Sequence, residues 1–378
     1  MAGIYVHIPF CKQACNYCNF HFSTSLKQKN DFVAALLKEI DFQKEYLVNE
    51  PVETIYFGGG TPSLLTETEL NDIFQKLQSA FSIHQNAEVT LEANPDDIDS
   101  EKLLQWKTAG VNRLSIGVQS FFEEDLSWMN RAHNAQQSLD SIKNAQDKGF
   151  ENITMDLIYG LPEMTNEHWK TNVEKAVSLN VPHLSCYALT VEPKTALQNL
   201  IIKKKAHNIE PDKQAEQFLL LMDWLNKAGY EHYEISNFAK PGKRSRHNSS
   251  YWEGKNYLGL GPSAHSYNGI SRQWNIANNG IYIKSLLRED KMNFEKEELS
   301  QTQRLNEYIM TSLRTIEGCD LNFIEENFGE NVKNRIMKDS QKYLTRKLIT
   351  GDKSRLTLTR EGKLLADGIA ADLFFENI

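Results

Sequence analysis

Ile4-Tyr5-Val6-His7-Ile8-Pro9-Phe10-Cys11-Lys12-Gln13-Ala14-Cys15-Asn16-Tyr17-Cys18 runs an alternating, β-branched segment straight into three cysteines spaced C-x3-C-x2-C. The alternation predicts a strand that Pro9 ends, which places the cysteines in the loop directly after it. Thiolates are the usual ligands of iron–sulfur clusters, and a short loop brings three of them around one cubane. A cubane has four irons, so Cys11, Cys15 and Cys18 leave one iron open for chemistry. The competing reading is structural zinc, with His21 as fourth ligand of a Cys3His set. Zinc ligands usually arrive as two separated pairs, whereas these four crowd into eleven residues. The chain has five cysteines in all, an odd number that argues for metal or redox chemistry over a disulfide framework. Cys186 and Cys319 read as buried structural thiols.

Outward from that loop, short β-rich runs alternate with helical patterns to about residue 190. Strands are predicted at 54–57, 88–92, 113–118, 153–158 and 183–189, and helices near 67–80, 100–109, 135–148 and 166–179. Phe32, Leu36, Leu37, Ile40 and Tyr46 keep helical spacing between the first two strands. Such repetition implies parallel strands with right-handed crossovers, in a doubly wound sheet or a full or partial barrel; periodicity does not choose between them. In each, ligands gather at the carboxyl ends of the strands. Gly58-Gly59-Gly60-Thr61, Glu92, Gln119 and Asp156 all stand at such ends.

Residues 194–212 read as a polar connector and 236–280 as an irregular lobe or lid, with a helix between them carrying Phe218, Leu221, Met222 and Leu225. From about residue 300 helices return, and Leu356-Thr357-Leu358-Thr359 reads as a short strand, which suggests a winged-helix-like appendage. The expected division is 1–235, 236–299 and 300–378. A formal net charge of -8 gives no field that favours nucleic acid or an anionic membrane. No apolar run approaches the roughly 20 residues of a membrane span, and the start lacks the pattern of a signal peptide, so a cytoplasmic protein is expected.

With these strings in hand, the chain resembles the radical S-adenosylmethionine superfamily. Tyr5-Val6-His7-Ile8-Pro9-Phe10-Cys11, Gly58-Gly59-Gly60-Thr61-Pro62, Gly117-Val118-Gln119-Ser120, Asp156-Leu157-Ile158-Tyr159-Gly160-Leu161-Pro162 and Gly259-Leu260-Gly261-Pro262-Ser263-Ala264 resemble its branch of oxygen-independent coproporphyrinogen III oxidases and HemW-type haem chaperones. The resemblance implies an α/β fold, a partial (β/α)6 barrel, with a 4Fe–4S cluster on the three cysteines. It further implies S-adenosyl-L-methionine held by Tyr5, Tyr17, Gly59, Gly60, Thr61, Glu92, Gln119, Arg131, Asp156 and Ala188. The oxidases carry a fourth cysteine where this chain has Phe20, and an N-terminal extension ahead of the first strand; both departures point to the chaperones. His247-Asn248-Ser249-Ser250-Tyr251 resembles the chaperones' haem motif, implying His247, Asn248 and Tyr251 as haem-binding residues. Lys240, Lys243, Arg244 and Arg246 stand ready for the propionates, and Tyr251 and Trp252 for the porphyrin face. Expected partners are haem, a haem-acceptor protein and, transiently, membrane-bound respiratory proteins. The alternative is the oxidase itself, decarboxylating coproporphyrinogen III to protoporphyrinogen IX.

Overall fold

The computed structural model describes residues 2–47 and 50–378. Its first half is strand–helix repetition: β1 (Ala2–Ile8), α1 (Lys29–Gln43), β2 (Val52–Gly59), α2 (Glu67–Ala80), β3 (Ile83–Ala93), α3 (Ser100–Thr108) and β4 (Arg113–Gln119). Then come α4 (Glu123–Trp128), α5 (Ala135–Asp147), β5 (Ile153–Tyr159), α6 (Asn166–Ser178) and β6 (His183–Ala188). The six strands lie side by side in chain order, each parallel to the next. Helix starts are written locally. Thr66 and Glu69 form a capping box at α2, as Asn134 and Gln137 do at α5, each satisfying two amide donors that a helix start otherwise leaves unpaired.

Because side chains alternate along a strand, each strand sorts its residues between two faces. Ile4, Val6 and Ile8 are fully buried in the main apolar core, together with Phe57, Leu91 and Leu114. The opposite parity is polar and bonds across strands. Tyr56 donates to Glu92 at 2.7 Å, Arg113 to Thr154 at 2.6 Å, and Ser115 meets Asp156 at 3.4 Å. One face therefore holds the molecule together, and the other lines a polar interior.

The chain continues through α7 (Ala196–Ile202), α8 (Pro211–Lys227), β7 (Glu231–Glu234), β8 (Asn237–Ala239), α9 (Arg246–Trp252), β9 (Tyr257–Leu260), β10 (His265–Tyr267), β11 (Ser271–Asn275), α10 (Asn279–Arg288) and β12 (Phe294–Glu298). Two expectations are corrected here. The 194–212 connector contains the helix α7, capped by Thr195. The 236–280 stretch is regular: β9 joins β1 in parallel, and β10, β11 and β12 extend that edge antiparallel, while β8 and β7 extend the edge at β6, for twelve strands in all. A buried carboxylate fastens the added strands. Glu39 of α1 accepts from the Gly261 amide at 2.7 Å, from Tyr282 at 2.5 Å and from Asn275 at 2.5 Å. Three donors offset the cost of burying that group.

The C-terminal part has its own core, from Leu305 to Phe375. It comprises α11 (Gln301–Leu313), β13 (Cys319–Asp320), α12 (Leu321–Phe328), α13 (Glu330–Thr345), β14 (Ile349–Gly351), β15 (Arg355–Leu358) and α14 (Ala366–Asp372), with strand order β13-β15-β14. Helices with a three-stranded wing match the winged-helix-like expectation. Among the described residues no helix is long and apolar enough to cross a membrane.

Candidate functional site: a thiol loop over a glycine cradle

The loop after β1 is held by its neighbours. The Cys11 amide donates to Ser23 O at 3.0 Å and the Asn16 amide to Met129 O at 3.0 Å. The Leu197 amide donates to Asn16 O at 2.7 Å, Asn130 Nδ2 to Ala14 O at 2.8 Å, and Lys12 pairs with Asp96 and Asp97. His7 adds a strut, with Nε2 2.8 Å from His21 O. Cys11, Cys15 and Cys18 are half-buried free thiols in this frame. Burial pushes the Cys11 thiol up to about 11 and raises Cys18, so ligation has to displace protons there.

His21 directs Nε2 to Asn279 Oδ1 at 2.7 Å. Among the described residues no three His, Cys, Asp or Glu donors converge on one point, as a single zinc ion requires. A cubane presents its irons at separate corners and asks for sulfurs set further apart. The three thiols on one anchored loop suit it.

The cradle beneath is glycine for steric reasons. A Cβ on Gly60 would stand 2.6 Å from Phe10 O and 2.8 Å from Ile8 O, inside the stem of the thiol loop. Gly59 has φ 106°, and a Cβ there would meet the His7 ring at 2.5 Å. Thr61 is buried beside Cys11 and takes a bond from Asn94 Nδ2 at 3.3 Å.

The remaining residues expected at this face come from β3 to β6 and from the segments that hold the thiol loop. Arg131 reaches Cys15 Sγ at 3.2 Å through Nη1, and Asn94 Oδ1 at 2.7 Å and Gly117 O at 2.9 Å through Nη2. Its fork is thus engaged, and its buried Nε has no partner. Tyr17 lies beside Arg131 and Cys15. Gln119 sits at φ 65°, a strained conformation for a non-glycine residue, with its Oε1 buried and unpaired. Burial holds both Glu92 and Asp156 up to about 7, and the Asp156 charge pushes Glu92 further up. The turn after β5 does not use Asp156, because Gln217 Oε1 takes the Gly160 amide at 2.9 Å. Ala188 ends β6, opposite Tyr159. Orphaned buried polar atoms beside a glycine floor and three thiols fit a polar nucleoside ligand next to a cluster. Sequence reasoning missed Tyr56 and Asn94, the partners of Glu92 and Arg131. Parity was the available signal, since Tyr56 lies two residues before Gly58 and Asn94 two after Glu92.

The segment 247–251, which the resemblance implies binds haem, reaches the thiol loop through Tyr251, which shares a cavity with Tyr5, His7, Phe20 and His21. His247 is 1% exposed, at the opposite end of the polar interior. Its Nδ1 is 2.8 Å from Thr54 Oγ1 and its Nε2 2.9 Å from Tyr251 Oη, and its ring stacks on Tyr56 at 5.0 Å. Burial lowers its pKa to about 3. Both ring nitrogens are hydrogen-bonded, so a role as iron ligand requires one of those bonds to be exchanged. Asn248 sits in the first turn of α9, its amide capped by Ser245. Three of the four basic residues before it are engaged as well. Arg244 pairs with Glu231 at 2.8 Å and Glu317 at 2.7 Å, Arg246 with Glu53 at 3.1 Å, and Lys240 bonds Asn180. Trp252 carries the Arg314 guanidinium over its ring at 5.4 Å.

A parallel strand fan with three unpaired thiols after its first strand and a glycine cradle after its second defines a radical S-adenosylmethionine protein. The family model of the radical SAM superfamily matches residues 5–176, and that of the HemN C-terminal domain matches residues 299–365. The resident cofactors of the superfamily are a 4Fe–4S cluster and S-adenosylmethionine. Over 371 residues the chain is 33% identical to the heme chaperone HemW of Bacillus subtilis (strain 168), covering 98% of each. It is 34% identical over 375 residues to the heme chaperone HemW of Lactococcus lactis subsp. lactis (strain IL1403), covering 99% of this chain and 97% of that one. The chain belongs to the HemW family of heme chaperones. Its fold is that of the coproporphyrinogen III oxidase HemN of Escherichia coli, with a TM-score of 0.84 at 23% identity over 99% of this chain and 90% of that one.

Proposed function

We propose that this protein binds haem and passes it to an acceptor protein, using a radical S-adenosylmethionine scaffold. The observation that carries the reading is likeness to heme chaperones along 98% of the chain. Cys11, Cys15 and Cys18 hold the cluster, and Arg131 lies against the Cys15 sulfur. Tyr5, Tyr17, Gly59, Gly60, Thr61, Glu92, Gln119, Arg131, Asp156 and Ala188 hold S-adenosylmethionine. Glu92 and Asp156 accept from its hydroxyls, and Gln119 Oε1 and Arg131 Nε gain the partners they now lack. When bound, cluster and S-adenosylmethionine together supply one-electron chemistry at the open iron. Acceptors on this reading include membrane-bound respiratory proteins, met transiently.

Phe20, where the resembling oxidases have a fourth cysteine, favours the chaperone over the decarboxylase. The test is a pair of assays on protein prepared without oxygen. Titration with haem is expected to give a saturable Soret band, and coproporphyrinogen III with reductant is expected to yield no protoporphyrinogen. Efficient product formation without haem uptake would overturn the reading.

A further inference from the structure

The strand β4 does not end plainly. Its register against β5 shifts between Ile116 and Gln119, a bulge of the kind that re-aims a side chain. Gln119 then takes φ 65°, a conformation that glycine adopts freely and a long side chain only under constraint. The outcome lays its amide over Gly117, where a Cβ would meet Gln119 Nε2 at 3.1 Å and Arg131 Nη2 at 3.2 Å. The turn thus carries Gln119 beside the Arg131 fork, with its Oε1 buried and unpartnered.

What constrains the turn comes from the helices around it. The Phe121 amide donates to Asn172 Oδ1 at 2.8 Å, and Asn172 Nδ2 donates to Ser120 Oγ at 3.2 Å. The Ser120 hydroxyl donates to Asp125 Oδ2 at 2.6 Å and accepts from the Phe122 amide at 3.1 Å. Ser120 and Asn172 are fully buried. By local rules Asn172 is out of place. It stands midway along α6 among the buried residues Trp169, Val173 and Ala176, where asparagine is a poor helix former and its amide costs desolvation. Its bonds to residues 120 and 121 account for it.

We propose that Asn172 is a positioning residue for S-adenosylmethionine: by gripping Ser120 and Phe121 it keeps the turn left-handed and the Gln119 amide beside Arg131. The inference rests on the reading of Gln119 as a contact of S-adenosylmethionine and extends that site to α6. A residue that only filled the core behind the turn would set stability and leave ligand affinity alone. One that acts through Gln119 loses its effect on affinity once the Gln119 side chain is gone.

The test uses the full chain carrying its cluster, prepared without oxygen. Affinity for S-adenosylmethionine is read by equilibrium dialysis and by the change it makes in the electron paramagnetic resonance of the reduced cluster, and stability by the urea midpoint. Gln119→Gly and Asn172→Ala are each expected to weaken binding by about tenfold, with iron content unchanged. The double variant is expected to bind no more weakly than Gln119→Gly alone, yet to be less stable than it, since the bonds of Asn172 are lost in either background. Should Asn172→Ala fail to fold, Ser120→Ala removes only a hydroxyl and carries the same comparison, with binding about threefold weaker expected. Wild-type affinity in Asn172→Ala, or in Ser120→Ala where it stands in, would overturn the proposal, as would losses of affinity that multiply in the double variant. Wild-type affinity in Gln119→Gly would instead remove the contact on which the proposal rests.

Discussion

The two ends of the polar interior are built from the same strands and the same side-chain parity, yet they differ in how their polar groups are spent. At the amino end, Thr54, His247 and Tyr251 bond in a chain, Arg113 reaches Thr154 and Glu88, and His183 meets Tyr233 at 2.8 Å. At the carboxyl end, three thiols are free, Gln119 Oε1 and Arg131 Nε are orphaned, and two carboxyls are held near neutrality. Orphaned atoms occur at both ends, Arg113 Nη1 and His183 Nδ1 among them at the amino end, so it is the thiols and the raised carboxyls that mark the carboxyl end as the place for a ligand. By that criterion the thiol loop sits with the chemistry.

The largest effect that would break this contrast is at Cys15. Cys15→Ala is expected to abolish cluster incorporation, read as iron content and brown absorbance, while moving the urea midpoint of the apo protein little. Retention of a full iron complement would refute the ligand set. Next comes Gly60→Ala. Its Cβ collides with backbone on two sides, so a cost of about 3 kcal/mol and a matching fall in Tm are expected. Gly368→Ala, with nothing within 4 Å, serves as the control that does not lose stability. His247→Ala reverses the Cys15 pattern: about 2–4 kcal/mol of stability is lost, since two hydroxyls lose their partner and a stacked ring vanishes, with iron content unchanged.

The smallest effect is a pH dependence. Glu92 has a folded pKa of about 7 against an ordinary 4.5. Between those values the native state keeps a proton that the unfolded chain has released, so stability falls as pH rises through that window. In the ligand-free protein Glu92→Gln removes that fall, with a gain on the order of 1 kcal/mol over wild type at pH 8 and little difference near pH 4.5. Urea midpoints at the two pH values decide it; an equal difference at both would show that protonation of Glu92 is not the cause.

Much of the carboxyl-end site was legible because its residues follow their strands directly. The six predicted strands match β1 to β6 within a few residues, apart from the longer start of β3. What stayed hidden lacked local signal. The strands β9, β10 and β11 are three to five residues long and broken by Gly261, Gly269 and Asn268, so they read as loop. The pairing of β9 with β1, on which the other two build, is set by tertiary contact across some 250 residues, which no periodicity records. The motif around His247 was readable as a string, but burial and partners decide whether a histidine is a ligand, and both depend on Thr54 and Tyr56 from a distant strand.

The place of β1 between β2 and β9 also bears on how the protein is made. One edge of β1 can be covered once Val52–Gly59 has emerged from the ribosome, but the other waits for Tyr257–Leu260. At about 5–20 residues per second, that edge stays open for on the order of ten to fifty seconds of synthesis. During that interval the nascent chain carries an unpaired β edge beside three reduced thiols, a template for misassociation that is shielded only after two-thirds of the polypeptide exists.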